Sequence, residues 1–200
     1  MKESRPKALA LYQAVLELLD EGRDIYSIKV SDITKQAGIG KGTAYEYFKS
    51  KEELIACALL NDVEEKMLAE KENLDRLPSF EEKISYAFDW ILRHFREQKS
   101  FTRLLRLTTH PCEVSTALLE ELSKRRTDAC SPPKRLFELC QEGREKGQIR
   151  QEIPLSAACM LTLGSLMSFV IYLEGQENMP ELGEEEMKNF LCKSLMNQLK

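Results

Sequence analysis

The stretch Val30 to Ile55, VSDITKQAGIGKGTAYEYFKSKEELI, decides how this chain is read. Ile33 and Ala37 stand four apart and share one helical face. Gly38-Ile39-Gly40 then breaks the helix where a left-handed backbone is tolerated. A second short helix over Lys41 to Tyr47 turns Ala44 and Phe48 inward at i and i+4. Lys41, Thr43, Tyr45 and Tyr47 are left facing outward or at the edges. Cations, a hydroxyl and phenols are the donors that hold a duplex backbone, and one short helix lets them act together. The segment therefore reads as a helix-turn-helix, and the expectation is a DNA-binding regulator.

Val30, Asp32-Ile33, Ala37-Gly38, Tyr45 to Phe48 and Ser50-Lys51 follow a pattern that resembles the TetR family of bacterial transcriptional repressors. The resemblance is good over roughly residues 8 to 60. Beyond them only an all-helical layout and a late Gly143-x-x-x-Gly147 turn match. Carried over residue by residue, it implies Lys41, Gly42 and Thr43 at base edges, with Tyr45, Tyr47 and Lys51 on phosphates. Two positions depart from the pattern: Lys29 stands where a Ser or Thr often caps the first motif helix, and Gly40 where a Ser often caps the second. Glycine is an adequate cap and lysine a poor one. Lys29, Ser31 and Lys35 either add phosphate contacts or are ordinary exposed residues. Glu46 either accepts from a cytosine amino group or points off the groove.

Charge is unevenly divided along the chain. Residues 1 to 51 hold nine Lys/Arg against seven Asp/Glu, and residues 52 to 200 hold twenty against twenty-six. A net charge of -4 argues against indiscriminate coating of nucleic acid and leaves only the amino-terminal part suited to DNA. The six cysteines, Cys57, Cys112, Cys130, Cys140, Cys159 and Cys192, include no Cys-x-x-Cys pair. With no secretion signal, they read as thiols of a reduced, cytoplasmic protein; redox sensing by one of them stays open. Ile153 to Leu173 carries no charge over 21 residues, a membrane-span length. Pro154, Ser156, Thr162, Gly164, Ser165 and Ser168 dilute it, and no Lys/Arg cluster at either end sets an orientation, so a buried helix is expected.

The chain reads helix after helix, with no convincing two-residue alternation, so the expectation is all-α with about nine helices. Ser50 with Glu53 and Ser79 with Glu82 are capping boxes. The first opens a long helix to about Glu72; the second opens one carrying Ile84, Phe88, Ile91 and Phe95. Short helices near Phe101 to Thr108 and over 113 to 128 follow, and Ser131-Pro132-Pro133 starts another. Two domains are anticipated, a DNA-binding head over 1–52 and a helical effector-binding and dimerisation domain over 53–200. Leu161, Gly164, Ser168, Phe190, Leu191 and Leu195 are candidates for a homodimer interface of the last two helices, which the resemblance places in a four-helix bundle. The alternative is a monomer that uses these faces for its own core.

Within the second domain the family usually encloses an apolar cavity for a small inducer. The candidate lining residues are Phe88, Trp90, His94, Phe101, Met160 and Phe169, which otherwise are core. Catalysis has little to work with: His94 and His110 are the only histidines and no Cys/His cluster accompanies them. Gly38-Ile-Gly-Lys-Gly42 lacks the spacing and preceding strand of a nucleotide loop. No cofactor or metal is expected. The partners anticipated are a double-stranded pseudo-palindromic operator, a small-molecule effector and a second copy of the chain, in a repressor that the effector releases from DNA. The rival reading is an interaction module that turns the helix-turn-helix to a protein partner.

Overall fold

A computed structural model describes residues 4–97, 113–125, 131–179 and 181–200. Among them are ten α-helices and no strand. In order they are α1 (Ser4–Asp20), α2 (Val30–Gln36), α3 (Lys41–Tyr47), α4 (Lys51–Ala69), α5 (Lys71–Asp75), α6 (Phe80–Glu97), α7 (Glu113–Lys124), α8 (Pro132–Glu145), α9 (Leu155–Gly175) and α10 (Glu184–Leu199). A short 3-10 turn, Gln176–Asn178, follows α9. The helix expected at Phe101 to Thr108 lies outside the described residues. By its contacts the chain divides into two compact units, residues 1–66 with 98–126 and residues 67–97 with 127–200.

In the first unit α1 packs against α2 and α3, and its amphipathic stripe buries Leu11, Val15, Leu18 and Leu19, with Ile28, Ile33, Ala44 and Phe48 buried in the same unit. The whole run Leu54 to Leu60 of α4 is buried, well beyond one face. Ser50 and Glu53 fix where α4 begins: the Glu53 N–H donates to Ser50 Oγ at 3.1 Å and the Lys49 N–H to the Glu53 carboxylate at 2.5 Å. α7 also belongs here, with Val114 and Leu118 buried.

The long helix expected to reach Glu72 ends instead at Ala69, and a separate five-residue helix follows. Glu70 marks the break. Its carboxylate accepts from Asn73 at 2.8 Å and from the Tyr86 hydroxyl of α6, which draws the side chain into local bonds. Those hydrogen bonds, the Tyr86 one first, hold the Glu70 carboxyl below its ordinary range.

The second unit is a bundle of α6, α8, α9 and α10, in which α9 packs against the other three. The second capping box starts α6, with the Glu82 N–H on Ser79 Oγ at 3.2 Å and the Ser79 N–H on the Glu82 carboxylate at 3.1 Å. Gly143 is buried because α8 and α6 meet there: a Cβ at that position would lie 2.9 Å from Phe80. Gly147, at φ +68, then ends α8 in the left-handed region, with the Gln148 N–H on the Gly143 carbonyl at 2.8 Å. The hydroxyls of Thr162, Ser165 and Ser168 donate to carbonyls four residues back. An apolar helix thus accommodates three hydroxyls with none left unbonded. α9 with its 3-10 extension is the one described helix long and apolar enough to cross a membrane.

Candidate nucleic-acid interface

The α2–α3 turn owes its shape to Gly38, whose φ of +65 lies in the left-handed region. The Ile39 N–H donates to the Thr34 carbonyl at 2.9 Å and the Gly38 N–H to Lys35 at 3.3 Å, so the end of α2 is satisfied. Gly40 adopts an extended φ of −65 and caps α3 without a side chain.

α3 is anchored from beneath by buried Ala44 and by Phe48, whose ring lies 5.6 Å from that of Tyr12 on α1. The opposite side carries exposed Lys41, Gly42, Tyr45 and Glu46. Tyr45 is 50% exposed, an unusual degree for a tyrosine on a helix packed this tightly. Thr43 and Tyr47 are half-buried at the edges, with the Tyr47 ring 6.3 Å from that of Phe48. Cations, a hydroxyl and phenols therefore share one small surface.

Ser31 and Lys35 of α2 are exposed, as is Lys29 at its N-cap. Lysine has no acceptor to offer the first turn, and Asp32 supplies one from the other direction. Its carboxylate accepts the Lys29 N–H at 3.1 Å and an Arg23 N–H at 3.0 Å. The Lys29 N–H chiefly, with the Arg23 charge beside it and burial opposing, holds the Asp32 carboxyl below its ordinary range. Lys51 is more constrained than its sequence position suggests. Its ammonium donates to the Tyr26 carbonyl at 3.1 Å and lies 3.7 Å from Glu52.

The sequence reading missed Tyr26, which is 60% exposed in the loop before α2. Its signal was Asp24: the Tyr26 N–H donates to the Asp24 carboxylate at 2.8 Å, an Asx turn that aims the loop. It also missed a polar knot joining α1, α4 and α7. Arg125 reaches Glu64 at 3.0 Å and Glu121 at 3.5 Å. Burial first, then the neighbouring Cys57 against the opposing Arg125, pushes the Tyr12 phenol up to about 12. Burial first and the Glu121 charge next push the Cys57 thiol up to about 11. Cys57 thus stays a protonated thiol at neutral pH.

In the second unit the effector candidates separate. Phe88 and Phe169 are fully buried and meet edge to face at 5.3 Å, as core residues do. Trp90 and His94 stack at 4.1 Å, and His94 Nδ1 lies 2.8 Å from the Trp90 carbonyl, which assigns its proton to that nitrogen. Met160 corrects the expectation. It is 67% exposed on the outer side of α9 and lines no interior space. Phe101 lies outside the described residues.

Among the interface candidates, Gly164, Ser168 and Phe190 are exposed, and Leu161 and Leu191 are half-buried. Leu195 is a second correction: it is fully buried in the protomer's own core with Cys192, Met196 and Leu199, because that side of α10 faces α6 and α9. A surface cleft of about 310 Å³ bordered by Phe80, Gln148, Arg150 and Met196 includes none of the residues predicted to line an effector site. Among the described residues no group of three or more His, Cys, Asp or Glu is placed to hold a metal ion.

Residues 18–57 match the model of the bacterial regulatory proteins of the tetR family. The chain is 30% identical over 95 residues to a fatty acid metabolism regulator protein of Bacillus subtilis (strain 168), a stretch that is 48% of this chain. The match spans about half, 47%, of that curated relative's length. Among solved structures, the transcriptional regulator FadR from Bacillus subtilis in complex with stearoyl-CoA shares the fold over 96% of this chain and 98% of its own, with a TM-score of 0.67 at 19% identity. RolR in complex with resorcinol does so over 99% and 89%, with a TM-score of 0.67 at 19% identity. Residues 18–57 thus carry a helix-turn-helix of the tetR-family kind, and the chain as a whole has the fold of FadR and RolR.

Proposed function

We propose that this chain is a cytoplasmic, DNA-binding transcriptional regulator with no enzymatic activity. It binds a pseudo-palindromic operator as a homodimer and is released by a small-molecule inducer. The observation that carries the reading is α3. Lys41, Thr43, Tyr45 and Tyr47 lie together on a helix fixed from beneath by Ala44 and Phe48, at a glycine turn whose termini are satisfied. In this reading residues 1–52 form the head, with Lys41, Gly42 and Thr43 at base edges and Tyr45, Tyr47, Ser31 and Lys29 on phosphates. Lys51 joins them by exchanging its bond to the Tyr26 carbonyl for a phosphate oxygen.

A one-sided apolar strip supports the homodimer. Met160, Leu163 and Ile171 of α9 and Phe190 of α10 are exposed, with Gly164 and Ser168 between them to permit close approach. The opposite side of α9 buries Ala158, Thr162, Phe169 and Val170 against its own bundle, which favours a packed helix over a membrane span. Residues 53–200 then serve effector binding and dimerisation. For the effector, FadR in complex with stearoyl-CoA and RolR in complex with resorcinol support a small molecule with an apolar body. Trp90 and His94 are the predicted residues best suited to its polar end.

The test is binding of the purified protein to its own upstream DNA at two salt concentrations, with footprinting. A symmetric protected region and an affinity that falls steeply with salt are expected. Salt-insensitive binding, or no protection with that DNA and with a random-sequence selection, would favour the protein-interaction reading.

A further inference from the structure

Ser131 stands at the N-cap of α8 with extended backbone (φ −69, ψ 140), where a serine hydroxyl ordinarily accepts an N–H of the first turn. It makes no such bond. Pro132 and Pro133 occupy the first two helical positions and have no N–H to give. The hydroxyl is fully buried, and among the described residues nothing bonds to it. One turn further on, the Arg135 N–H donates to the Ser131 carbonyl at 3.0 Å, which links the two residues through the backbone at i and i+4. Arg135 Nε is buried too, and among the described residues it meets no acceptor.

Other partly or fully buried cations of this unit are matched. Lys83, 4% exposed, meets the Glu142 carboxylate at 2.7 Å, and Lys188 meets Asp89 at 2.7 Å. Even Lys134, beside Arg135, lies 3.8 Å from Glu138. An arginine whose Nε has lost water without gaining an acceptor, one helical turn from a hydroxyl in the same position, is destabilising as it stands. Such a residue is retained where a ligand completes it.

We propose that Ser131 and Arg135 form a recognition corner for the oxyanion of the effector, a carboxylate or phosphate carried on an apolar body. The inference rests on the reading of this chain as a regulator with a small-molecule effector. The guanidinium offers Nε–H and a neighbouring Nη–H as a planar fork that matches two oxygens of either group. The Ser131 hydroxyl supplies a further donor. Arg135 is half-buried as a residue, so part of its side chain reaches solvent while Nε stays covered until an anion displaces what lies over it.

The test compares wild type with Arg135→Met, Arg135→Lys and Ser131→Ala in the full chain. Thermal melting is measured without ligand, and affinity is measured for stearate, stearoyl-CoA and uncharged stearyl alcohol. Arg135→Met should melt at or above the wild-type temperature. It should bind the anionic probe about tenfold or more weakly, as loss of a charged pair requires, and bind the alcohol as before. Arg135→Lys keeps the charge without the fork and should fall between. Dependence on Arg135 with stearate identifies a carboxylate; dependence with stearoyl-CoA alone identifies a phosphate.

A clear drop in melting temperature for Arg135→Met would show that the protein already supplies a partner and would overturn the proposal. Equal losses for alcohol and anions would do so as well. If wild type binds neither anion, this proposal falls while the regulator reading stands or falls separately on the footprint.

Discussion

Replacing Gly38 by alanine isolates the backbone cost of the turn between α2 and α3. The residue sits at φ +65, and a Cβ built there meets nothing within 4 Å. No packing term enters, so the penalty is that of placing an L-residue in the left-handed region, about 1–2 kcal/mol. Alanine also narrows the unfolded ensemble, which offsets about 0.4–1 kcal/mol. A net loss of about 1 kcal/mol follows from these two terms. For a chain of this length it lowers the melting temperature by about 2–4 °C. Urea unfolding at fixed protomer concentration measures it, because any self-association makes stability depend on concentration. Gly38→Asn should cost less, since asparagine visits this region more readily. Gly40→Ser is the matched control. Its φ is −65 and its nearest neighbour, Thr43 Oγ, lies at 4.0 Å, so it should be neutral or slightly stabilising as a better cap. A neutral Gly38→Ala, or a Gly40→Ser loss of equal size, would refute the assignment of the turn to the Gly38 conformation.

Gly143→Ala tests the opposite situation, in which φ is ordinary and space is lacking. With Phe80 at 2.9 Å and Ile149 at 3.1 Å from the added carbon, overpacking should cost about 1–3 kcal/mol in the same assay. On operator DNA, Tyr47→Phe should weaken every site about equally, whereas Lys41→Ala should cost about 1–3 kcal/mol at preferred sites and relax base choice. Equal effects of both on all sequences would remove Lys41 from the base edges. Hydrogen bonds from Lys146 and then Lys83 hold the Glu142 carboxyl below its ordinary value, so its stabilisation is present above the unfolded carboxylate pKa and is lost as pH falls through the lower folded one. Glu142→Gln should therefore flatten the decline in stability on the acid side of about pH 4.3, read from unfolding curves at stepped pH.

The head could be read in advance because its signals are local. A glycine needing positive φ, two inward residues at i and i+4, and a Ser-x-x-Glu box each fix geometry within one or two turns. The division of the apolar helices could not. α9 is apolar nearly all round, so nothing in its sequence says that Met160 looks outward while Ala158 and Thr162 look in. On α10 the same ambiguity put Phe190 and Leu195 on one face, yet the protomer buries only the second. Which side is used depends on residues far away in sequence, such as Asp89, 99 positions off, drawing Lys188 inward at 2.7 Å. Ser131 was legible only as the start of a helix, and Arg135 gave no pattern at all. Their interest lies in bonds not made, and sequence records only the groups available to make them.

The bond from the Lys51 ammonium to the Tyr26 carbonyl bears on the entropy of complex formation. A lysine held in one rotamer before docking has already given up most of its torsional freedom. Exposed Lys41 would surrender up to about 1.5–2 kcal/mol of that freedom in the proposed complex with DNA. In the proposed complex, Lys51 would exchange that bond for one to phosphate with little torsional freedom left to lose, so two side chains of equal charge would release counterions equally and contribute unequally to affinity.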